Sequence, residues 1–230
     1  MKQLVLCYIL CGVFVSTYAQ SKIDSTVNDT KYLEDQFYVG ITYNFLLNKP
    51  KSVTQRNLSY GLHGGIIKDL PINSSRTRAF GIGIGYAFNS YYSTLLASEM
   101  PNGNLYTVLD NNDTNYKRNK VETHMIEFPI EYRWRNSTPQ AYKFWRIYAG
   151  AKLGYVLGGR SKFVSGTEKI SFYNTDIVKF HYGLTLNFGY NTFNIHAYYS
   201  LNTLFKDTVL VDGNRIDMKP LRIGLIFYIL

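Results

Sequence analysis

Large apolar residues alternate with small or polar ones along eight stretches of this chain, and the last residues form one of them. Within Leu221–Leu230 every odd position is large and apolar, while the even positions begin with Arg222 and Gly224. Successive side chains of a strand point to opposite faces, so this segment keeps one face in an apolar medium and one in a crowded, partly polar interior. A soluble sandwich accounts for one or two such strands. Eight in succession point to a barrel whose outer wall meets lipid.

The first strand, Phe37–Leu47, sets Phe37, Val39, Ile41, Tyr43 and Phe45 against Tyr38, Gly40, Thr42 and Asn44. The second, Leu58–Lys68, opposes Tyr60, Leu62 and Ile66 to Ser59, Gly61, His63 and Gly65. The third, Ala79–Ser93, turns Phe80, Ile82, Ile84 and Tyr86 outward and Gly81, Gly83 and Gly85 inward. The fourth, Val121–Arg135, has His124, Ile126, Phe128, Ile130, Tyr132 and Trp134 outside and Glu127, Glu131, Arg133 and Arg135 inside. The fifth, Tyr142–Gly158, faces Trp145, Ile147, Leu153 and Tyr155 out and Arg146, Tyr148 and Lys152 in. The sixth, Ile177–Tyr190, places Phe180, Tyr182, Leu184 and Leu186 outside and Lys179, His181 and Asn187 inside. The seventh, Phe193–Leu201, opposes Phe193, Ile195 and Tyr199 to Asn194, His196 and Tyr198.

The connections alternate in length as well. Those after strands two, four and six are short, and Asp69–Arg78 has a turn composition with Pro71 and Asn73. Those after the odd strands are mostly longer and polar, residues 99–119 being the longest. Outer-membrane barrels have short periplasmic turns and longer outside loops. The expected fold is therefore all-β, an eight-stranded antiparallel up-and-down transmembrane β-barrel over residues 37–230. A soluble lipocalin-type barrel would turn the small face to water, where the glycines of Gly81–Gly85 make poor strand positions. Pro129, in the middle of strand four, cannot donate a ladder hydrogen bond, which predicts a bulge or local bend there.

Met1-Lys2-Gln3, the apolar Leu4–Val15 and the small residues Thr17 and Ala19 read as a secretory signal peptide over residues 1–19, cleaved before Gln20. Residues 20–36 are polar and without period, a flexible periplasmic leader. The location this implies is the bacterial outer membrane, reached by the Sec route. Both cysteines, Cys7 and Cys11, lie in the signal, so the mature chain has no thiol chemistry. The net charge of +9 is scattered over loops and inward positions rather than massed on one element. It fits attraction to anionic lipid headgroups better than nucleic-acid binding.

Buried charges persist only when paired. The inward set Glu127, Glu131, Arg133, Arg146, Lys152 and Arg222, with Lys179, His181 and His196, therefore reads as a salt-bridged lumen charge network that replaces a hydrophobic core. A gated, charge-selective conduit is the sharper alternative. An eight-stranded barrel is just wide enough for side chains to fill. No Cys/His cluster has metal spacing, and no cofactor is expected. Gly81-Ile82-Gly83-Ile84-Gly85 lies inside a strand and is not a phosphate loop. Glu122 and His124, beside Ser90 and Tyr92, form a weak lipid-hydrolase constellation; an interfacial histidine is the simpler reading.

The segment Arg222-Ile223-Gly224-Leu225-Ile226-Phe227-Tyr228-Ile229-Leu230 resembles the terminal signal read by the outer-membrane barrel-assembly machinery. The positions carrying that resemblance are Arg222, Gly224, Phe227 and Ile229. Leu230 replaces the usual terminal aromatic. Nearly the whole mature chain resembles the PorT family of Bacteroidetes barrels. The resemblance is carried by Phe37–Asn44, Thr123–Arg135, Tyr142–Tyr148 and Lys152–Tyr155, with the strand-four block the most specific. It implies a porin-like or type IX secretion-associated barrel without catalytic residues. The expected role is a non-enzymatic accessory of type IX protein secretion, with a small solute channel or a structural surface barrel as alternatives.

Overall fold

A computed structural model describes residues 35–110, 116–136, 144–191 and 193–229. The expected signal peptide and the expected leader through residue 34, with Leu230, lie outside the described residues. The described residues form thirteen strands: β1 (Asp35–Leu47), β2 (Tyr60–Pro71), β3 (Arg78–Tyr92), β4 (Leu95–Met100), β5 (Gly103–Val108), β6 (Tyr116–Arg135), β7 (Trp145–Ser165), β8 (Lys169–Tyr173), β9 (Phe180–Tyr190), β10 (Phe193–Ser200), β11 (Leu210–Val211), β12 (Asn214–Arg215) and β13 (Lys219–Ile229). Eight of them, in the order β6-β3-β2-β1-β13-β10-β9-β7, pair antiparallel, and the β6–β7 ladder closes the circle. The β1–β13 seam runs from Phe37 opposite Ile229 to Leu47 opposite Lys219.

The alternation read from the sequence becomes a difference in exposure. On β9 every residue alternates between exposed and buried, Phe180, Tyr182, Leu184, Leu186 and Phe188 standing outside. On β6 the outward row Phe128, Ile130, Tyr132 and Trp134 is exposed, while Glu127, Glu131, Arg133 and Arg135 are buried. A wall this apolar requires an apolar surrounding. Most of the strands exceed the roughly 9–11 residues that cross a bilayer; β10 has 8, and its ladder is carried one residue further by Leu201 N–H donating to the Tyr182 carbonyl.

Several boundaries differ from the sequence reading. β2 runs on to Pro71, so Asp69 is an inward strand residue and not part of the turn. β1 starts at Asp35 and brings Gln36 into the barrel interior. β6 and β7 overrun the expected ends by several residues, and β8 pairs with the overhanging part of β7. Residues 99–119 are not a loop throughout: β4 and β5 form a hairpin turning at Pro101-Asn102, and β6 begins at Tyr116. The sixth strand starts at Phe180, which leaves Lys179 exposed before it rather than in the lumen. Tyr142 and Lys143 lie outside the described residues.

The expected bulge at Pro129 is absent. Pro129 pairs in register with Lys152, and the β3–β6 register is the same on both sides of it, from Ile82–Ile130 to Gly85–Glu127. The ladder omits the two pairs that would include Phe128 and Pro129, so the missing amide is absorbed as a local gap and no residue is inserted. Two register shifts lie higher, one between Tyr116 and Arg118 and one where His124 faces Gly158 and Met125 faces Val156, leaving Leu157 as an extra residue.

Above the barrel the longer connections pack together. Val53, Leu95, Tyr106, Phe172, Phe205 and Met218 are buried in one apolar cluster with Tyr91, Val121 and Met125 of the upper inner wall. β11 and β12 meet through Asp212-Gly213, both at positive φ as a tight two-residue hairpin requires. The polar composition of these connections concealed the spaced apolar residues that form this cap.

Candidate functional site

The lumen carries two linked ionic groups. In the first, Glu127 of β6 receives Arg222 of β13 on one carboxylate oxygen at 2.8 Å and Lys152 of β7 on the other at 3.0 Å. Arg222 donates also to Asn89 at 3.3 Å, and its guanidinium lies 3.8 Å from the Tyr198 ring centroid. All three charged groups are at most 4% exposed. β6 and β7 are consecutive antiparallel neighbours, and β13, distant from both in sequence, meets them across the lumen once it pairs with β1.

In the second group Asp69 of β2 binds both Arg133 and Arg135 of β6. Arg133 also donates to Glu131 and to Gln36, each at 3.1 Å, and lies over the Tyr148 ring at 4.5 Å. Glu131 accepts from Asn187 at 3.1 Å, and the Asn187 oxygen contacts His196 at 2.5 Å. The His196 ring stands 4.9 Å from that of His63. Asn187 thus extends the second group toward the His196–His63 ring pair.

Asp69 was missed because proline and asparagine beyond it marked a turn. Its parity with Gly61, His63 and Gly65 was the available signal. Arg146, placed in the network by parity, is buried but bonds no carboxylate among the described residues. It donates to the Asn191 carbonyl at 2.9 Å and lies over the rings of Phe144 and Tyr228 at 4.6 and 5.7 Å. Backbone carbonyls and aromatic faces thus solvate the cations that the carboxylates do not reach. Arg135, besides its pair with Asp69, donates to the Arg76 carbonyl at 2.9 Å.

Two voids among these groups measure about 10 Å³ each, room for about one water apiece. Over them sits the apolar cap, tied across the mouth by Asn104 and Tyr106 of the β4–β5 hairpin, which donate to Asp176 at 2.9 and 3.0 Å. Burial pushes the Tyr106 phenol up from its ordinary value, with the Asp176 carboxylate adding in the same direction. An open groove of about 600 Å³ runs on the outside of the cap between Asn48–Ser52 and Val211–Asp217. Arg215 is held there by Asp207 and Asp217.

The hydrolase constellation does not assemble. The Glu122 carboxylate is taken by Lys120 and Lys162, each at 2.5 Å, and the His124 ring contacts the Tyr86 hydroxyl at 2.5 Å. Ser90 is fully buried. In the terminal segment, Arg222 is a lumen ligand, Gly224 sits on the β1–β13 seam, Phe227 packs on Phe193, and Ile229 pairs with Phe37.

A closed eight-stranded barrel with an apolar outer wall, a charged interior and short turns at one end is a transmembrane barrel of the outer-membrane type. Residues 18–206 match the family described as outer membrane protein beta-barrel domain, and the chain belongs to that family. No curated protein matches it. Among solved structures it is similar to Ail, the attachment invasion locus protein of Yersinia pestis, at 16% identity, covering 84% of this chain and 98% of that one with a TM-score of 0.31. The complex of Ail with the heparin analogue sucrose octasulfate gives 14% identity, the same coverage and a TM-score of 0.32. A structure described as "Asymmetric conductivity of engineered proteins" gives 9% identity, 85% and 99% coverage and a TM-score of 0.21.

Proposed function

We propose that this chain is a non-conducting, non-enzymatic outer-membrane barrel that works by contact, as an accessory of type IX protein secretion. The observation that carries the contact reading is the filled lumen. Glu127, Lys152 and Arg222 bridge it at mid-height, Asp69, Glu131, Arg133 and Arg135 bridge it toward the turns, and the cap covers the far mouth. A solute would have to break buried ion pairs to pass, and breaking such a pair is costly. The surfaces left to act are the cap, the turns and the lipid-facing wall.

The secretion assignment rests on the PorT-like residues, above all the block Thr123–Arg135. In this reading the barrel is exported by its signal peptide and inserted by the barrel-assembly machinery. It then sits in outer-membrane lipid and contacts components of a larger translocon. Deleting the gene in a bacterium that runs the pathway is expected to reduce type IX cargo in the medium and restore it on complementation. Normal cargo secretion in the deletion strain removes the secretion role and leaves an independent surface barrel.

A further inference from the structure

The outer face of β3, β6, β7 and β8 changes character just above the lipid-facing wall. The topmost apolar row pairs Phe88 with His124, and His124 with Gly158. One outward row higher, Ser90, Glu122, Arg160 and Tyr173 are successive Cα partners across the four strands. The next outward row is Tyr92, Lys120, Lys162 and Ser171. These two rows carry three cations and one carboxylate, Glu122, which bonds the two lysines, so they hold a net charge of two positive. At the same ends of β2, β9 and β10 the outward residues are Tyr60, Phe180 and Tyr199. At the same end of β13 the outward residue is Lys219, so these other strands hold one cation there against three in this sector.

Ser90, Lys120 and Glu122 are buried within the patch, and its accessible cations are the half-buried Arg160 and Lys162. Glu122 holds Lys120 and Lys162 from between them. The Lys120 ammonium lies 5.1 Å from the Tyr92 ring centroid, and the Arg160 guanidinium lies 4.2 Å from that of Tyr173. The alternate side chains of the same strands, Val121 and Phe172, are buried in the cap core, so the charged row cannot turn inward. A ligand reaches it from outside the barrel and not from the lumen.

We infer that this patch binds the phosphate of a phosphorylated outer-leaflet lipid. Arg160 offers a planar fork of donors and Lys162 a point charge, the pair that phosphate oxygens take. Tyr92 and Tyr173 supply the aromatic edge found at headgroup level. The rows beneath, Phe88, Ile126 and Leu157, give the acyl chains a wall continuous with the phosphate site. A free anion would gain nothing from that wall, which is why the lipid is the occupant. The inference stands apart from the secretion reading and survives its failure.

The test uses the mature barrel in phosphatidylcholine nanodiscs doped with bisphosphorylated lipid A, with the same lipid stripped of its phosphates, or with inorganic phosphate in the buffer. Lipid retained after detergent extraction is read by native mass spectrometry, and gel mobility before and after boiling confirms that each variant is folded. The wild type is expected to retain the phosphorylated lipid selectively. Arg160→Gln with Lys162→Gln should weaken retention about thirtyfold, at roughly five- to sixfold per surface cation lost. Glu122→Gln, which adds one net positive charge, should strengthen it about fivefold. Equal retention by the double variant, or of the dephosphorylated lipid, overturns the site. Displacement of the lipid by millimolar inorganic phosphate overturns the lipid as occupant.

Discussion

Truncating Glu127 to alanine is expected to lower the unfolding free energy of the barrel by about 3–5 kcal/mol, because it strands two buried cations that share one partner. Lys152 and Arg222 are each 4% exposed at the side chain, and neither has a second carboxylate bonded to it among the described residues. Urea titration in phospholipid vesicles checks this. The chain's two tryptophans, Trp134 and Trp145, stand on the lipid-facing wall and report its loss by fluorescence. Replacing the triad together, Glu127→Leu with Lys152→Met and Arg222→Met, should recover most of the loss, since no charge is then left unpaired. A cost below about 1 kcal/mol for the single truncation is the size of a solvated surface pair and would mean that water reaches these groups.

Gly224→Leu is expected to stop the barrel closing. A Cβ built at Gly224 falls 2.0 Å from the Ile41 carbonyl oxygen and 2.6 Å from the Thr42 Cα, both backbone atoms of the facing strand. Backbone on a closed seam cannot retreat as a side-chain tip could. Loss of the folded, heat-modifiable form in cells would fit this or a damaged assembly signal. Refolding the urea-denatured variant into detergent micelles separates the two, because no assembly machinery is present there. The seam account expects failure in micelles as well; normal refolding would assign Gly224 to signal recognition alone.

The barrel was legible because its period is two. Each strand repeats the same binary choice, and a slip of one residue would put Glu127 and Arg133 into lipid, so parity fixed which residues meet inside. What parity does not carry is register between strands. It placed Arg146 in the lumen but could not say that Asn191 and Tyr228, not a glutamate, would receive it. The ends of strands were less legible for a different reason. Asp69 lies beside Leu70 and Pro71, and turn composition outweighed its alternation with Gly65 and Ile67. The cap was hidden because its apolar residues come in small groups, without a sustained period, from the 48–59 segment, the β4–β5 hairpin, β8 and the 201–218 segment. They make a core only when assembled. Of the bulge or local bend expected at Pro129, the bulge does not form, because the β3–β6 ladder skips the missing donor without inserting a residue.

The cap and the two ionic groups lie in series along one axis, and the contact reading depends on their blocking it. The most direct measurement is the current through single barrels of the mature protein in a planar bilayer, at physiological salt and across ±100 mV. The account predicts an electrically silent wild type, with discrete openings appearing only when the Glu127 triad is dismantled and the cap residue Tyr106 is truncated with it. Steady, voltage-tolerant steps in the wild type would contradict it and make the lumen charges the lining of a channel.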